Sequence, residues 1–353
     1  MAMSSVSTTR RRLAQGLVIP AHPLALTAGR RLDERRQRAL SRYYLDAGAG
    51  GLAVGVHTTQ FAIRNPAVGL YRPVLELAAE TAARWRKDVG PILIAGVIGT
   101  TRQAVREARL ARDLGYDATL LGMGALARAP NDRLIAHARA VAEVMPLMGF
   151  YLQPSAGGRR LDFEFWCRFC EITDVVAIKV APFNRYDTLD VVRAVAASGR
   201  ARDITLYTGN DDHILLDLMT THAVPTADGM TRIGMPGGLL GQWACWTRTA
   251  VAQHARARVA VRQRVIPAPL LTLAAQVTEA NAAIFDIANT FRGCIPGVHE
   301  ILRRQGLLRG RWCLDPNEEL SPGQLSAIDR VRQAYPHLTD DAFVGAHLDR
   351  WLA

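Results

Sequence analysis

A lysine sits inside an apolar run, Val175-Val176-Ala177-Ile178-Lys179-Val180, in a chain that hardly uses lysine: of 43 basic residues only Lys87 and Lys179 are lysines and the other 41 are arginines. Arginine cannot replace lysine as a carbonyl nucleophile, because only an amine that can lose its proton forms an imine. Apolar walls disfavour the ammonium form and lower its pKa, which is the activation such a nucleophile needs. The alternative is a lysine at a strand end with its head in solvent or on a carboxylate. Tyr151 closes a second apolar run, in Gly149-Phe150-Tyr151-Leu152-Gln153-Pro154-Ser155. If the two runs are neighbouring parallel strands, the phenol reaches the amine and moves protons during imine formation. His22 and His57 end two further runs and can bind substrate or carry protons near neutral pH, against a hydrogen-bonded structural role for each.

These residues need a frame that brings strand ends together. Short apolar runs recur at Leu17–Ala21, Gly51–Val56, Pro91–Val97, Ala118–Gly122, Pro146–Tyr151, Val175–Val180, Ile204–Thr208 and Thr231–Gly234. Segments of helical periodicity lie between them, from Leu32–Asp46 and Val74–Lys87 through Leu161–Glu171 and Thr188–Ala197 to Leu240–Arg256. Starts spaced by roughly 25–40 residues match a βα unit with a parallel crossover. Eight units predict an α/β protein, a (β/α)8 TIM barrel, whose site lies at the C-terminal strand ends. The competitor, an open doubly wound sheet, lacks its G-x-G-x-x-G after the first strand. Beyond residue 258 the strand signal stops. Leu270–Asn289, Val298–Arg304, Pro322–Ala334 and Asp340–Leu352 read as helices, so the expected division is a flexible segment 1–15, a barrel 16–258 and a helical extension 259–353. The apolar helix at Leu270–Asn289 needs a partner surface, which suggests a homo-oligomer, a dimer or tetramer.

The chain resembles the dihydrodipicolinate synthase / N-acetylneuraminate lyase family of class I, Schiff-base aldolases. Tyr151-Leu152-Gln153-Pro154-Ser155-Ala156-Gly157 is similar to that family's Y-N-x-P-x-x-T-G, and Ala177-Ile178-Lys179 to its G-x-K. Gly55-Val56-His57-Thr58-Thr59-Gln60-Phe61 falls where the family has G-T-T-G-E, and Leu206-Tyr207-Thr208-Gly209-Asn210-Asp211 resembles its x-x-S-G-D-D. The likeness runs in order from about residue 16 to 305. It implies a barrel with a helical C-terminal part, often tetrameric. Lys179 would form an imine with a small 2-oxo acid of the pyruvate type and Tyr151 would relay protons. His57, Thr58, Thr59, Gly209 and His22 would bind substrate. The imine is itself the electron sink, so no cofactor and no metal is implied.

The departures are as informative. His57 replaces the first threonine of G-T-T-G-E, Thr58 retains the second, and Thr59-Gln60 replace Gly-Glu. The synthases' carboxylate-binding arginine falls at Ala156, and a second relay tyrosine falls near Leu126. Dihydrodipicolinate synthesis itself is therefore not expected. Arg159 and Arg160 could replace the missing guanidinium, although arginines opening a helix are the commoner case. The glycine-rich stretch Gly234–Gly241 reads as a turn after the last strand, a place from which barrels can bind phosphate.

Composition excludes other classes. With 49% hydrophobic and 21% charged residues the chain has ample core material. The net charge of +11 is spread along helices, which argues against a nucleic-acid-binding stripe. Five cysteines, with Cys167 and Cys170 on one helical face, read as reduced thiols. No secretory h-region and no apolar window of membrane length is present, so a cytoplasmic protein acting without a membrane is expected. Three functions follow in order: an imine-forming lyase, a barrel that has lost catalysis and binds a ligand or partner, and nucleic-acid binding.

Overall fold

The computed structural model describes residues 5–85 and 89–353. Seven parallel strands come first: β1 Val18–Pro20, β2 Gly51–Val54, β3 Ile92–Val97, β4 Ala118–Gly122, β5 Leu147–Leu152, β6 Val175–Ala181 and β7 Thr205–Thr208. An antiparallel hairpin follows, β8 Thr221–Thr226 with β9 Gly229–Gly234, and then β10 Gly237–Leu240. The sheet order is β1-β10-β7-β6-β5-β4-β3-β2. Its two ends meet where Ala21 bridges Ala53 and the His22 backbone N–H donates to the Ala53 carbonyl at 2.8 Å. The eight-stranded TIM barrel expected from the apolar runs is therefore the observed architecture.

Its eighth strand is not the expected one. Thr231–Gly234 belongs to the hairpin, whose first strand alternates exposed with half-buried residues, as a ribbon outside a core does. The barrel strand is Gly-Gly-Leu-Leu, buried along its length. Glycine is depleted in strands, so this stretch reads as a turn until the sheet places it.

The N-terminal segment also departs from expectation. Within 1–15, which reads as flexible, Ser5–Ala14 is a helix lying across the N-terminal end of the barrel, while residues 1–4 lie outside the described residues. Leu13 is fully buried in the interior cluster with Ile19, Ile92, Met148 and Tyr207. The Tyr207 hydroxyl donates to the Leu13 carbonyl at 2.8 Å and accepts from the Leu17 N–H at 3.2 Å. Arg10 donates to the Thr173 carbonyl at 3.1 Å, and the Thr9 hydroxyl to that of Asp117 at 3.3 Å. Arg10, the first of three successive arginines at 10–12, is thus occupied in fastening a floor.

Helices surround the barrel, and side-chain caps set their starts. Asp162 accepts from the Phe165 N–H at 2.8 Å and Asn184 from the Tyr186 N–H at 2.8 Å, so helices open at Phe163 and Arg185. The helix expected over Val74–Lys87 spans Tyr71–Trp85, and Lys87 lies outside the described residues. Residue 258, the expected boundary, falls within the helix Thr247–Gln263. Helices Ala268–Ile284, Cys294–Arg304, Gln324–Ala334 and Asp341–Leu352 follow. They share one apolar core with the barrel, in which Tyr43, Ile284, Leu302 and Trp351 are all fully buried. The apolar helix Ala268–Ile284 buries Leu270, Leu273, Val277 and Ile284 within its own chain, packing against Gln324–Ala334 and Ile214–Met219. All five cysteines are free thiols, and among the described residues no helix is long and apolar enough to cross a membrane.

Candidate active site

Strand β6 alternates its faces. Ile178 and Val180 point outward into the core between sheet and helices, whereas Ala177 and Ala181 line the barrel interior. Lys179 shares the interior face and is 6% exposed. Parallel pairing aligns it with Phe150 on β5 and Tyr207 on β7. A glycine makes room for it: a Cβ on Gly209 would lie 2.6 Å from Lys179 Cε and 2.8 Å from Ala181 Cβ. The lysine stem is threaded past bare backbone.

Its head group enters a cavity at the C-terminal end of the barrel, about 510 Å³ when the space open to solvent at its mouth is included. The polar lining consists of His57, Thr58, Gln153, Lys179 and Asp211. Phe150, Leu152, Phe183, Phe285, Phe291 and Cys294 supply most of the rest, the last three from the C-terminal region. Among the described residues no carboxylate lies within ion-pair distance of Nζ, which stands 4.4 Å from the centroid of the Phe150 ring. Burial pushes the lysine pKa below its ordinary value, with the Asp211 charge opposing the shift. Burial likewise raises the Asp211 carboxyl, against the opposing pull of Lys179. One Asp211 oxygen accepts from the Gln242 backbone N–H at 2.7 Å. A buried amine able to lose its proton therefore shares a cavity with a carboxyl able to keep one.

His57 opens a short 3-10 turn after β2 and lines the cavity, its imidazole without a hydrogen-bond partner among the described residues. Burial, followed by the Lys179 charge, lowers its pKa to about 4, so the imidazole is neutral near pH 7. Thr58 lines the cavity while its hydroxyl donates to the Ala21 carbonyl at 2.8 Å. A hydroxyl has one proton, so Thr58 as it stands offers a ligand only acceptor capacity.

Three expected site residues lie elsewhere or act differently. Thr59 is fully buried outside the cavity lining. Its hydroxyl donates to the His22 carbonyl at 2.6 Å and accepts from the Gly55 and Val56 N–H groups, which fastens the turn. His22 is also fully buried away from the cavity: Nδ1 lies 2.9 Å from the Pro23 carbonyl and Nε2 2.8 Å from the Ser41 hydroxyl. Its pKa is lowered by burial to about 4, and its role is to join the end of β1 to the helix Glu34–Ala47.

Tyr151 does not meet Lys179. Its ring packs on Trp166 at a centroid distance of 5.4 Å, and its hydroxyl accepts from the Leu161 N–H at 3.3 Å. Its charged neighbours are Asp187 and Arg160, and burial pushes its pKa up to about 12. Register explains the exchange: β5 puts Phe150 beside Lys179 and Tyr151 beside the outward Val180. One residue along a strand reverses the face. Arg159, a potential replacement for the absent guanidinium, donates to the Leu126 and Ala129 carbonyls at 2.7 and 2.9 Å.

Sequence reasoning missed Phe150, Gln153, Asp211 and the phenylalanines beyond them. Asp211 ends the Leu206–Asp211 stretch that carries part of the resemblance, where its type and spacing alone assign it no role. Phe285, Phe291 and Cys294 carry no signal until the fold folds them back over the mouth.

Comparison with known proteins gives one consistent relationship. The sequence model described as the dihydrodipicolinate synthetase family matches residues 16–225. A 4-hydroxy-tetrahydrodipicolinate synthase of Moorella thermoacetica is 29% identical over 209 residues, covering 58% of this chain and 66% of that protein. A second, from Acaryochloris marina, is 32% identical over 115 residues, covering 32% and 37%. The chain thus spans two thirds or less of the length of these curated relatives. Among solved structures, dihydrodipicolinate synthase from Oceanobacillus iheyensis superposes with a TM-score of 0.73 at 13% identity, over 94% of this chain and 99% of the other. N-acetylneuraminate lyase from Fusobacterium nucleatum complexed with pyruvate gives 0.69 at 16%, over 91% and 97%. At such identities the superpositions speak for the fold.

Proposed function

Because the chain belongs to the dihydrodipicolinate synthetase family, we propose that it is a lyase in which Lys179 condenses with a small 2-oxo acid to form an imine. The observation that carries this reading is a lysine amine held inside the barrel mouth without an ion-pair partner among the described residues, in a chain that otherwise uses arginine almost throughout. Neutral Nζ adds to the ketone carbon. The carbonyl oxygen takes up protons and leaves as water, and the iminium that results accepts the electron pair released when a bond to C3 breaks. Aldol cleavage, its reverse and dehydration all pass through the enamine.

Proton transfer in this reading falls to His57 and Asp211, the imidazole and the carboxyl that line the cavity beside Lys179. Gln153 and the leading backbone N–H groups of the His57–Thr59 turn would receive the substrate carboxylate, since a helix start leaves such groups without intrahelical partners. With Ala156 at the arginine position and Arg159 engaged by carbonyls, the chemistry is not that of dihydrodipicolinate synthase itself. We include a homo-oligomer in the reading, checked by sedimentation.

Borohydride reduction in the presence of pyruvate is expected to add one adduct mass per chain, mapped to Lys179. No adduct with any of a panel of 2-oxo acids would count decisively against the reading. A second reading, a barrel that binds without turnover, draws on Phe150 standing where a phenol would serve the amine. It predicts that Lys179→Arg leaves ligand affinity unchanged.

A further inference from the structure

The cavity beyond Lys179 says more about the substrate than its carbonyl. Phe150, Phe183, Phe285 and Phe291 line it together with Leu152 and Val56. Two of them are held at a conformational cost. Phe183 has φ 53° and Phe291 φ 66°, in the left-handed region that bulky side chains rarely adopt. Such backbone persists only where its surroundings fix it, and it clusters at ligand clamps. The two rings meet edge to face with centroids 5.6 Å apart, one from the loop after β6 and the other from the C-terminal region. Two segments far apart in the chain thus each hold a residue with left-handed backbone in the cavity lining, and their aromatic rings meet there.

The charges in the lining point the same way. Lys179 is the one Lys or Arg side chain in it, and imine formation consumes that amine. A second carboxylate on the substrate would find no guanidinium and would face Asp211. A chain of hydroxyls would lose its water against phenyl faces, with few polar groups to replace it.

We propose, resting on the imine reading above, that the substituent carried by the 2-oxo acid is aromatic or similarly apolar, bound among Phe150, Phe183, Phe285 and Phe291, rather than a polyhydroxylated chain or a second carboxylate. Lys179 and its polar neighbours hold the oxo-acid head, and the phenylalanines hold what the enamine step releases or accepts.

The test is borohydride trapping at Lys179 across four probes: pyruvate, 4-phenyl-2-oxobutanoate, 2-oxoglutarate and a 3-deoxy-2-oxo sugar acid. The phenyl-bearing acid is expected to reach half-maximal trapping at a concentration at least about thirty-fold below that of pyruvate, the scale set by burying one phenyl group. The other two should trap no better than pyruvate. Half-maximal trapping by the sugar acid or by 2-oxoglutarate at or below the phenyl acid's concentration overturns the proposal while leaving the imine reading intact, as does a phenyl acid no better than pyruvate. Failure of all four to label Lys179 overturns both. In Phe183→Gln and Phe291→Gln the phenyl-to-methyl preference should shrink about ten-fold, and a preference unchanged in both variants would refute the assignment of the rings.

Discussion

The barrel mouth and the C-terminal helices each bury a charge, and they treat it in opposite ways. Glu300, with no exposed surface, accepts from Arg303 at 2.8 and 2.9 Å, from Arg304 at 2.6 Å and from Arg311 at 3.3 Å. Burial alone would raise its pKa, but the hydrogen bonds from Arg303 and Arg304 outweigh it and hold the carboxyl down at about 2. Lys179 has no such guard. A charge surrounded by partners is committed to its charged state and serves the fold. A charge left without them is pushed toward its neutral state, and for an amine that state is the reactive one.

Substitutions at the two sites should separate these roles. The largest effect is expected from Lys179→Met, which should abolish the borohydride adduct and reduce any turnover by more than about a thousand-fold. Its denaturation midpoint should not fall, because an unpaired buried amine is removed. A marked loss of stability would show that the lysine is a structural ion after all.

Glu300→Ala should do the reverse, lowering stability by about 3 kcal/mol in urea titration with trapping at Lys179 unaltered, since three guanidinium groups lose their shared acceptor. The pH dependence has a definite sign. A depressed carboxyl stabilises fully above its ordinary value of 4.5 and loses that contribution as pH falls toward about 2. The gap between wild type and Glu300→Gln should therefore be wide at pH 6 and narrow at pH 3.

Gly209→Ala sharpens the comparison from inside the mouth. The added methyl meets the lysine stem at 2.6 and 2.9 Å, so the stem must move. Adduct formation should slow by roughly 10–100-fold for a stability loss of about 1–3 kcal/mol, read by trapping rate and melting together.

The smallest effect is expected at Tyr151. Removing its hydroxyl deletes its hydrogen bonds with the Leu161 N–H and the Asp187 carboxylate, worth about 1–2 kcal/mol, and should leave the trapping rate unchanged. A hundred-fold slower adduct in Tyr151→Phe would restore the phenol to the chemistry.

The barrel and the position of Lys179 at a strand end were legible because they rest on local signals: apolar runs, their pitch and a misplaced amine. What failed was parity. Tyr151 satisfies the Y-x-x-P spacing, yet β5 and β6 shift register between Leu147 and Met148, where Val175 and Ala177 are the partners, and no spacing within one strand reveals a bulge between two. Thr59 and His22 were legible as strand-end polar residues, but whether such a side chain faces a ligand or fastens a loop is decided by which carbonyls the neighbouring strand presents. Long-range closure also hid the wall made by Phe285, Phe291 and Cys294, more than 100 residues along the chain from Lys179.

The helix Ser5–Ala14 caps the foot of a barrel whose interior is already filled by side chains such as Ile19, Ile92 and Met148. With Leu13 and Tyr207 stopping its lower end, everything that enters must leave by the way it came. For a reaction that splits a bound molecule in two, this imposes a stacking order: the piece nearer the rim departs first, and the piece tethered to the lysine waits behind it. Inhibition by the two products should then differ in kind, with the tethered piece competing against fresh substrate and the outer one not.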